Sequence, residues 1–297
     1  MGGARGRAAR AGAGAGMGAG SSGAAGAELV GLAQRVADAG GAAAARWFRQ
    51  PALAVEAKGD ASPVTLADRE AEAAMRAVLA AEAPDHAIYG EEEGSSGGSS
   101  EYTWILDPID GTRSFITGKP LFGTLVALVH RDTPIVGIID QPVLGERWLG
   151  VRGAPSTFNG ARVSARECPG GLSSSYLYAT TPAMFIGERN AGAFEALKDA
   201  VREPLYGCDC YAYGLLASGF CDLVCEADLK PYDYMALVPI IEGAGGRITD
   251  WEGQPLSWDE SKMGAAGEVL AAGDARVHAE ALKVLRGSMT GVGSTSP

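Results

Sequence analysis

Three histidines, at 86, 130 and 278, are all that a chain of 297 residues contains, and none stands in a loop that carries other candidate catalytic groups. Hydrolases built on a Ser-His-Asp triad or a phosphohistidine therefore have no obvious base here. Basic residues are also scarce: 25 Lys and Arg face 36 Asp and Glu, for a net charge of −11. Nucleic-acid affinity rests on Lys and Arg neutralising phosphates, so no nucleic-acid partner is expected. Apolar runs stay short of the roughly 20 residues that a membrane helix needs, and no apolar signal-peptide core opens the chain. Neither a membrane nor a secretory route is expected. The five cysteines, at 168, 208, 210, 221 and 225, are odd in number and lack the paired C-x-x-C spacing of a zinc site. They read as small buried hydrophobes in a reducing compartment.

The first 27 residues are mostly Gly and Ala, with Arg5, Arg7 and Arg10 and no acid before Glu28. This composition resembles an organelle transit peptide and predicts a chloroplast or other plastid location; a disordered Gly/Ala tail is the alternative. Loss of the segment would take the net charge from −11 to −14. The remainder is rich enough in apolar residues to build a substantial core. It divides into an N-terminal half over 28–153, a C-terminal half over 154–287 and a disordered tail over 288–297.

Helical spacing of Leu29, Leu32, Val36 and Trp47 predicts a first helix from Glu28 to Arg49. Met75, Val78 and Leu79 mark a second, stopped by Pro84, with Asp68 near its beginning. A strand, an acidic loop "GEEEG", a mobile Gly/Ser insert over 94–100 and a second strand follow. The runs "LFGTLVALVH" and "PIVGIIDQPV" extend this into an antiparallel sheet, and "GAPSTFNGARV" signals a hairpin. Beyond it, strands and helices alternate, ending with one helix "DYMALVPIIEGAGG" capped by Gly-Gly. Alternating sheets and helices point to a layered α/β protein.

The stretch "WILDPIDGT" carries the chemistry. Trp104, Ile105 and Leu106 form a buried strand that Pro108 must end, so Asp107 and Asp110 flank a turn with room for one or two cations. Gly111 and Thr112 open a helix or tight turn whose free amides suit an anion. Oxygen-only ligands favour Mg²⁺, which joins one or two carboxylates to phosphate oxygens. Each acid also has a plainer use: Asp110 and Asp233 as helix caps, and Glu91, Glu92 and Glu93 as a solvated run.

Taken together, a loop with Lys58, Asp68 at a helix start, "GEEEG", "DPIDGT" and "YD" before a helix ending in Gly-Gly resemble the inositol-monophosphatase-like, Mg²⁺-dependent phosphatases, which include fructose-1,6-bisphosphatases. The likeness covers about residues 28–286 and implies a layered αβαβα sandwich. It further implies that Glu91, Asp107 and the carbonyl of Ile109 hold one Mg²⁺, and that Asp107, Asp110 and Asp233 hold a second. Glu92 would reach a third ion through water. Asp68, Thr112 and Glu91 form the implied catalytic set, Thr112 and Asp68 orienting the attacking water. Gly111 and Thr112 amides would bind the phosphate of a small phosphomonoester. Family members are commonly homodimers, which sets the expectation here.

Longer strings, "LDPIDGT.SFITGKPLFGTL", "GIIDQPVL.ERW" and "LKPYD", look like plant-type histidinol-phosphate phosphatases. Glu226 matches the position that contacts the leaving group, and with Asp110 and Asp209 it would suit an ammonium and an imidazole. For Asp209, capping of the helix near Tyr211 is the competing role. An inositol or other polyol phosphatase is the nearest alternative. A non-catalytic cation-binding protein of the same fold would predict a broken ligand position, and none is broken. Tyr232 stands where the family usually has tryptophan, and Arg113-Ser114 departs from the common pattern.

Overall fold

Alanine-rich sequence with an apolar residue every third or fourth position forms two long helices, α1 (Ala19–Trp47) and α2 (Leu66–Glu82). Their coordinates come from a computed structural model that describes residues 19–51, 55–57, 63–263 and 267–291. Lys58 and residues 1–18 lie outside the described residues. α1 starts well before Glu28, because alanine favours helix once Leu32 and Val36 anchor the buried face. Between the helices, β1 (Val55–Ala57) and β2 (Pro63–Thr65) make a small antiparallel pair.

The first large sheet contains β3 (Ala87–Gly90), β4 (Gly94–Ser96), β5 (Tyr102–Asp110), β6 (Gly123–His130), β7 (Thr133–Gln141), β8 (Glu146–Val151), β9 (Thr157–Phe158) and β10 (Ala161–Arg162). A short helix, α3 (Thr112–Ile116), interrupts the path from β5 to β6. The strand order is β10-β9-β8-β7-β6-β5-β3-β4. Two expectations need correction. The sheet is not wholly antiparallel, because β3 and β5 run parallel. Nor is the Gly/Ser insert a free loop: Gly94–Ser96 pairs with β3, and the amides of Ser99 and Ser100 donate to the Asp85 carbonyl at 2.8 and 3.1 Å.

In the second half the elements are β11 (Tyr176–Ala179), α4 (Gly187–Ala200), β12 (Glu203–Tyr206), α5 (Tyr211–Ala217), β13 (Leu223–Leu229), α6 (Pro231–Tyr234), α7 (Leu237–Gly243), β14 (Arg247–Thr249), β15 (Gly267–Ala272) and α8 (Ala275–Gly291). They form a five-stranded sheet of order β12-β11-β13-β15-β14, parallel across its first three strands and antiparallel beyond. The expected single helix after Asp233 is two, α6 and α7. Pro239 has no N–H to give a preceding turn, so the helix restarts with Pro239 in its first turn. α8 continues to Gly291, past the boundary at 287 where a tail was expected.

Five layers result. α1 and α2 cover one face of the large sheet, α5, α6 and α7 lie between the two sheets, and α8, packed with α4, covers the outer face of the small one. The central layer packs Trp148, Tyr213, Leu216, Ile240 and Ile241 into the largest core. Its close approach depends on glycine: a Cβ on Gly150 would lie 2.3 Å from the Ile240 nitrogen, and one on Gly137 would lie 1.9 Å from the Ala236 carbonyl. Among the described residues no helix is long and apolar enough to cross a membrane.

All five cysteines are buried and free, as their spacing implied. The histidines stand away from the acidic loops. His86 accepts from Trp104 Nε1, His130 meets Glu101, and buried His278 pairs with Thr249 Oγ1 at 3.0 Å.

Candidate active site

The parallel pairing of β3 and β5 sets Gly90 opposite Leu106, which carries the next residues, Glu91 and Asp107, to the same end of the two strands. The Glu91 amide donates to the Leu106 carbonyl at 3.2 Å. β5 then leaves register with β6 between Asp107 and Asp110, where Pro108 can give no ladder hydrogen bond. Thr124 Oγ1 takes up the Pro108 carbonyl at 2.8 Å, and Ile109 N donates to Asp107 Oδ1 at 3.1 Å. The Ile109 side chain is buried with Phe115 and Phe122, which fixes the turn from behind.

Two helix starts supply the remaining acids by the same device. Asp68 is the third residue of α2 and accepts from Thr65 N and Oγ1 at 2.7 and 2.6 Å. Asp233 is the third residue of α6 and accepts from Lys230 N at 2.6 Å. Asp233 is thus not the N-cap, which is Lys230, but closes the cap from the third helical position, and its carboxylate still reaches the cluster. One oxygen from each of Asp107, Asp110 and Asp233 lies within 4.8 Å of the others. Thr112 Oγ1 lies between the Ile109 carbonyl at 3.2 Å and Asp68 Oδ1 at 3.5 Å.

Like charges at this spacing oppose ionisation. Burial, then Glu91, Asp110 and Asp233 push the Asp107 carboxyl far above the usual carboxylate range. Burial, then Asp209 and Asp233 do the same to Asp110. Asp233 is pushed up to about 8, first by burial and then by Glu91. The groups that act most strongly on these three carboxyls include no Lys or Arg side chain. Hard oxygen donors, crowded and uncompensated, fit a divalent cation.

A cleft of about 840 Å³ opens beside the cluster, lined by Glu91, Gly111, Thr112, Ser114, Asp209 and Asp233 among others. Gly111 has φ of +88°, a conformation that favours glycine, and a Cβ there would lie 2.9 Å from Asp209 Oδ2 and press on that side chain. Asp209 does not cap α5, which has no side-chain cap. It accepts from Ser114 Oγ at 3.0 Å, which gives Ser114 the function its sequence position left open. Arg113 lines the same cleft. Glu226 sits deeper, 3% exposed, accepting from Thr180 N and Tyr213 OH, both at 2.9 Å. Burial pushes its carboxyl up to about 7. Glu226, Asp209, Asp110 and Asp233 border one small inner pocket of about 90 Å³. Tyr232 rests 5.9 Å from the Tyr89 ring, itself 5.2 Å from Trp258.

Two features escaped the sequence. The Cys210 amide donates to Asp110 Oδ2 at 2.6 Å, tying the C-terminal half to the cluster, and no residue pattern signals a backbone donor. Glu72 is fully buried against the "GEEEG" loop. Its one legible signal is position: four residues after Asp68, it shares that face of α2.

The model of the inositol monophosphatase family matches residues 27–289. The Arabidopsis thaliana protein named bifunctional phosphatase IMPL2, chloroplastic, is 53% identical over 254 residues, 84% of this chain and 72% of that protein. A histidinol-phosphatase of Chlorobaculum parvum is 34% identical over 80% of this chain and 92% of its own. The structure of an inositol monophosphatase from Zymomonas mobilis superposes with a TM-score of 0.77 at 44% identity, covering 88% of this chain and 98% of that one. Layer order, acidic cluster and these likenesses agree, and the chain belongs to the inositol monophosphatase family of phosphatases.

Proposed function

We propose that the protein is a Mg²⁺-dependent histidinol-phosphate phosphatase that converts L-histidinol phosphate and water to L-histidinol and phosphate. The observation that carries the reading is the pair Asp209 and Glu226 beside the acidic cluster, two carboxylates where a leaving group with an ammonium and an imidazole would lie. The relatives named as histidinol-phosphatases support it.

Glu91, Asp107, Asp110, Asp233 and the Ile109 carbonyl would hold two magnesium ions, with Glu92 beside a third. When bound, such an ion acidifies water and offsets charge on the ester's leaving oxygen. Thr112 and Asp68 orient the attacking water. The short hydrogen bonds from Thr65 keep Asp68 aimed at Thr112. Gly111 and Thr112 amides hold the phosphate, so that attack runs in line with the departing alcohol.

A second reading, hydrolysis of inositol or related polyol phosphates, is favoured by the 44% identity with the Zymomonas mobilis inositol monophosphatase. Steady-state kinetics on both esters decide between them. A kcat/KM for histidinol phosphate at least about tenfold above that for myo-inositol 1-phosphate is expected. A preference for the inositol ester sinks the first reading.

We further infer a homodimer within the plastid. The Arg-bearing, acid-free first 27 residues and the chloroplastic Arabidopsis relative support that location. Import of the full chain into isolated plastids, with loss of its N-terminal segment, is the expected result. Exclusion from plastids contradicts it.

A further inference from the structure

We propose that Glu72 is a positioning residue that, together with Arg76, staples the loop bearing Glu91 and so sets the affinity of the site for its cation. This rests on the reading of Glu91 as a metal ligand. Three consecutive amides of the loop are tied down. Glu91 N donates to Leu106 O on β5, while Glu92 N donates to Glu72 Oε2 at 2.7 Å and Glu93 N to Glu72 Oε1 at 3.1 Å. Arg76 Nε donates to Glu72 Oε1 at 2.8 Å, and its two other nitrogens reach the Gly94 carbonyl at 2.5 Å and Ser96 Oγ at 3.2 Å. The staple thus continues from the loop into the edge strand β4.

Helix packing alone would not select this residue. Removing a carboxylate from water is unfavourable unless its oxygens are fully hydrogen-bonded, and an apolar side chain at a fully buried position of α2 would pack without that demand. Glu72 is 0% exposed, and its acceptors are turned outward from the helix onto the two residues that follow Glu91. The fit extends to Gly90, where a Cβ would lie 2.1 Å from Glu72 Oε1, so the loop passes against the carboxylate only because it has no side chain there. With its own amide and both following amides held, the loop is pinned at Glu91, whose side chain lines the cleft with Asp233.

In Glu72→Gln the amide keeps one oxygen but turns an NH₂ group toward one of the loop amides, which loses its acceptor. A direct Mn²⁺ titration of the full chain, read by electron paramagnetic resonance, is expected to show half-saturation rising by about 10- to 100-fold. KM for the phosphate ester at saturating metal should change by less than about twofold. Hydrogen exchange at Glu92 and Glu93 should quicken in metal-free protein. Unchanged Mn²⁺ affinity in Glu72→Gln overturns the proposal.

Glu91→Gln is measured in parallel. If it binds Mn²⁺ like the wild type, the ligand reading of Glu91 fails. If it binds weakly while Glu72→Gln binds normally, the staple alone fails. Weak binding by both, with little further loss in the double variant, supports the coupling. Should Glu72→Gln not fold, Arg76→Lys keeps the charge beside Glu72 but cannot reach Gly94 and Ser96 together. A rise in half-saturation of at least about threefold then supports the staple, and unchanged affinity overturns it.

Discussion

Asp107→Asn is expected to lower kcat/KM by at least about a hundredfold while raising the thermal stability of the metal-free protein. Asparagine keeps the shape of Asp107 and an oxygen for the Ile109 amide, which now donates at 3.1 Å. It loses the charge that makes a hard cation ligand. Asp107 is 1% exposed and faces Glu91, Asp110 and Asp233, so the same change removes first the cost of burying a carboxylate and then the repulsion that the folded chain holds in check without metal. Opposite signs for activity and stability are what a binding site assembled against its own electrostatics should show. Kinetics across a Mg²⁺ series and thermal denaturation in EDTA measure the two. Wild-type activity at saturating Mg²⁺ would refute the assignment of Asp107, and a lowered melting temperature would refute the repulsion argument.

Stripping the protein of divalent metal should abolish turnover and make stability fall as pH rises from 6.5 to about 8.5. Asp233 is pushed up to about 8 and Glu226 up to about 7, from ordinary values of 3.8 and 4.5. In this range the unfolded chain has already released those protons, whereas the folded chain gives them up only around pH 7 at Glu226 and around pH 8 at Asp233. Raising the pH therefore favours unfolding. His278, pushed down to about 4, acts with the opposite sign and chiefly below its ordinary 6.5, while buried thiols such as Cys210 and Cys225, raised above their ordinary 9, add to the decline only near the alkaline end of the window. Added Mg²⁺ binds the deprotonated cluster and should flatten the decline. The check is a set of melting temperatures in EDTA and in Mg²⁺ across that window. A metal-free stability that is level or rising would contradict the arrangement of charges.

How far these sites could be foreseen follows from the range of the interactions involved. Asp68 and Asp233 were visible as acids at helix starts because capping is local and leaves a three-residue signature. "DPIDGT" was visible because a proline ends a strand wherever it falls, and glycine permits the left-handed turn at 111. Other features were hidden. Gly94–Ser96 has the composition of a free linker, yet it pairs as an edge strand because Arg76 and β3 supply partners from elsewhere. Asp209 looked equally suited to cap α5, and only the position of Ser114 on α3 shows where its carboxylate is held.

The sequence by itself determined the donor chemistry, the two capped helix starts, the turn after β5, the burial of the cysteines and the structural employment of the histidines. Each depends on a residue and its near neighbours. Tertiary structure decided which carboxylates share one volume. The parallel register of β3 with β5 brings Glu91 beside Asp107, the central helix layer brings Asp233 to the same strand ends, and the Cys210 amide closes the site from the other half. Long-range register is set by the burial of whole faces, to which every strand and helix contributes, so no short stretch of the chain encodes it.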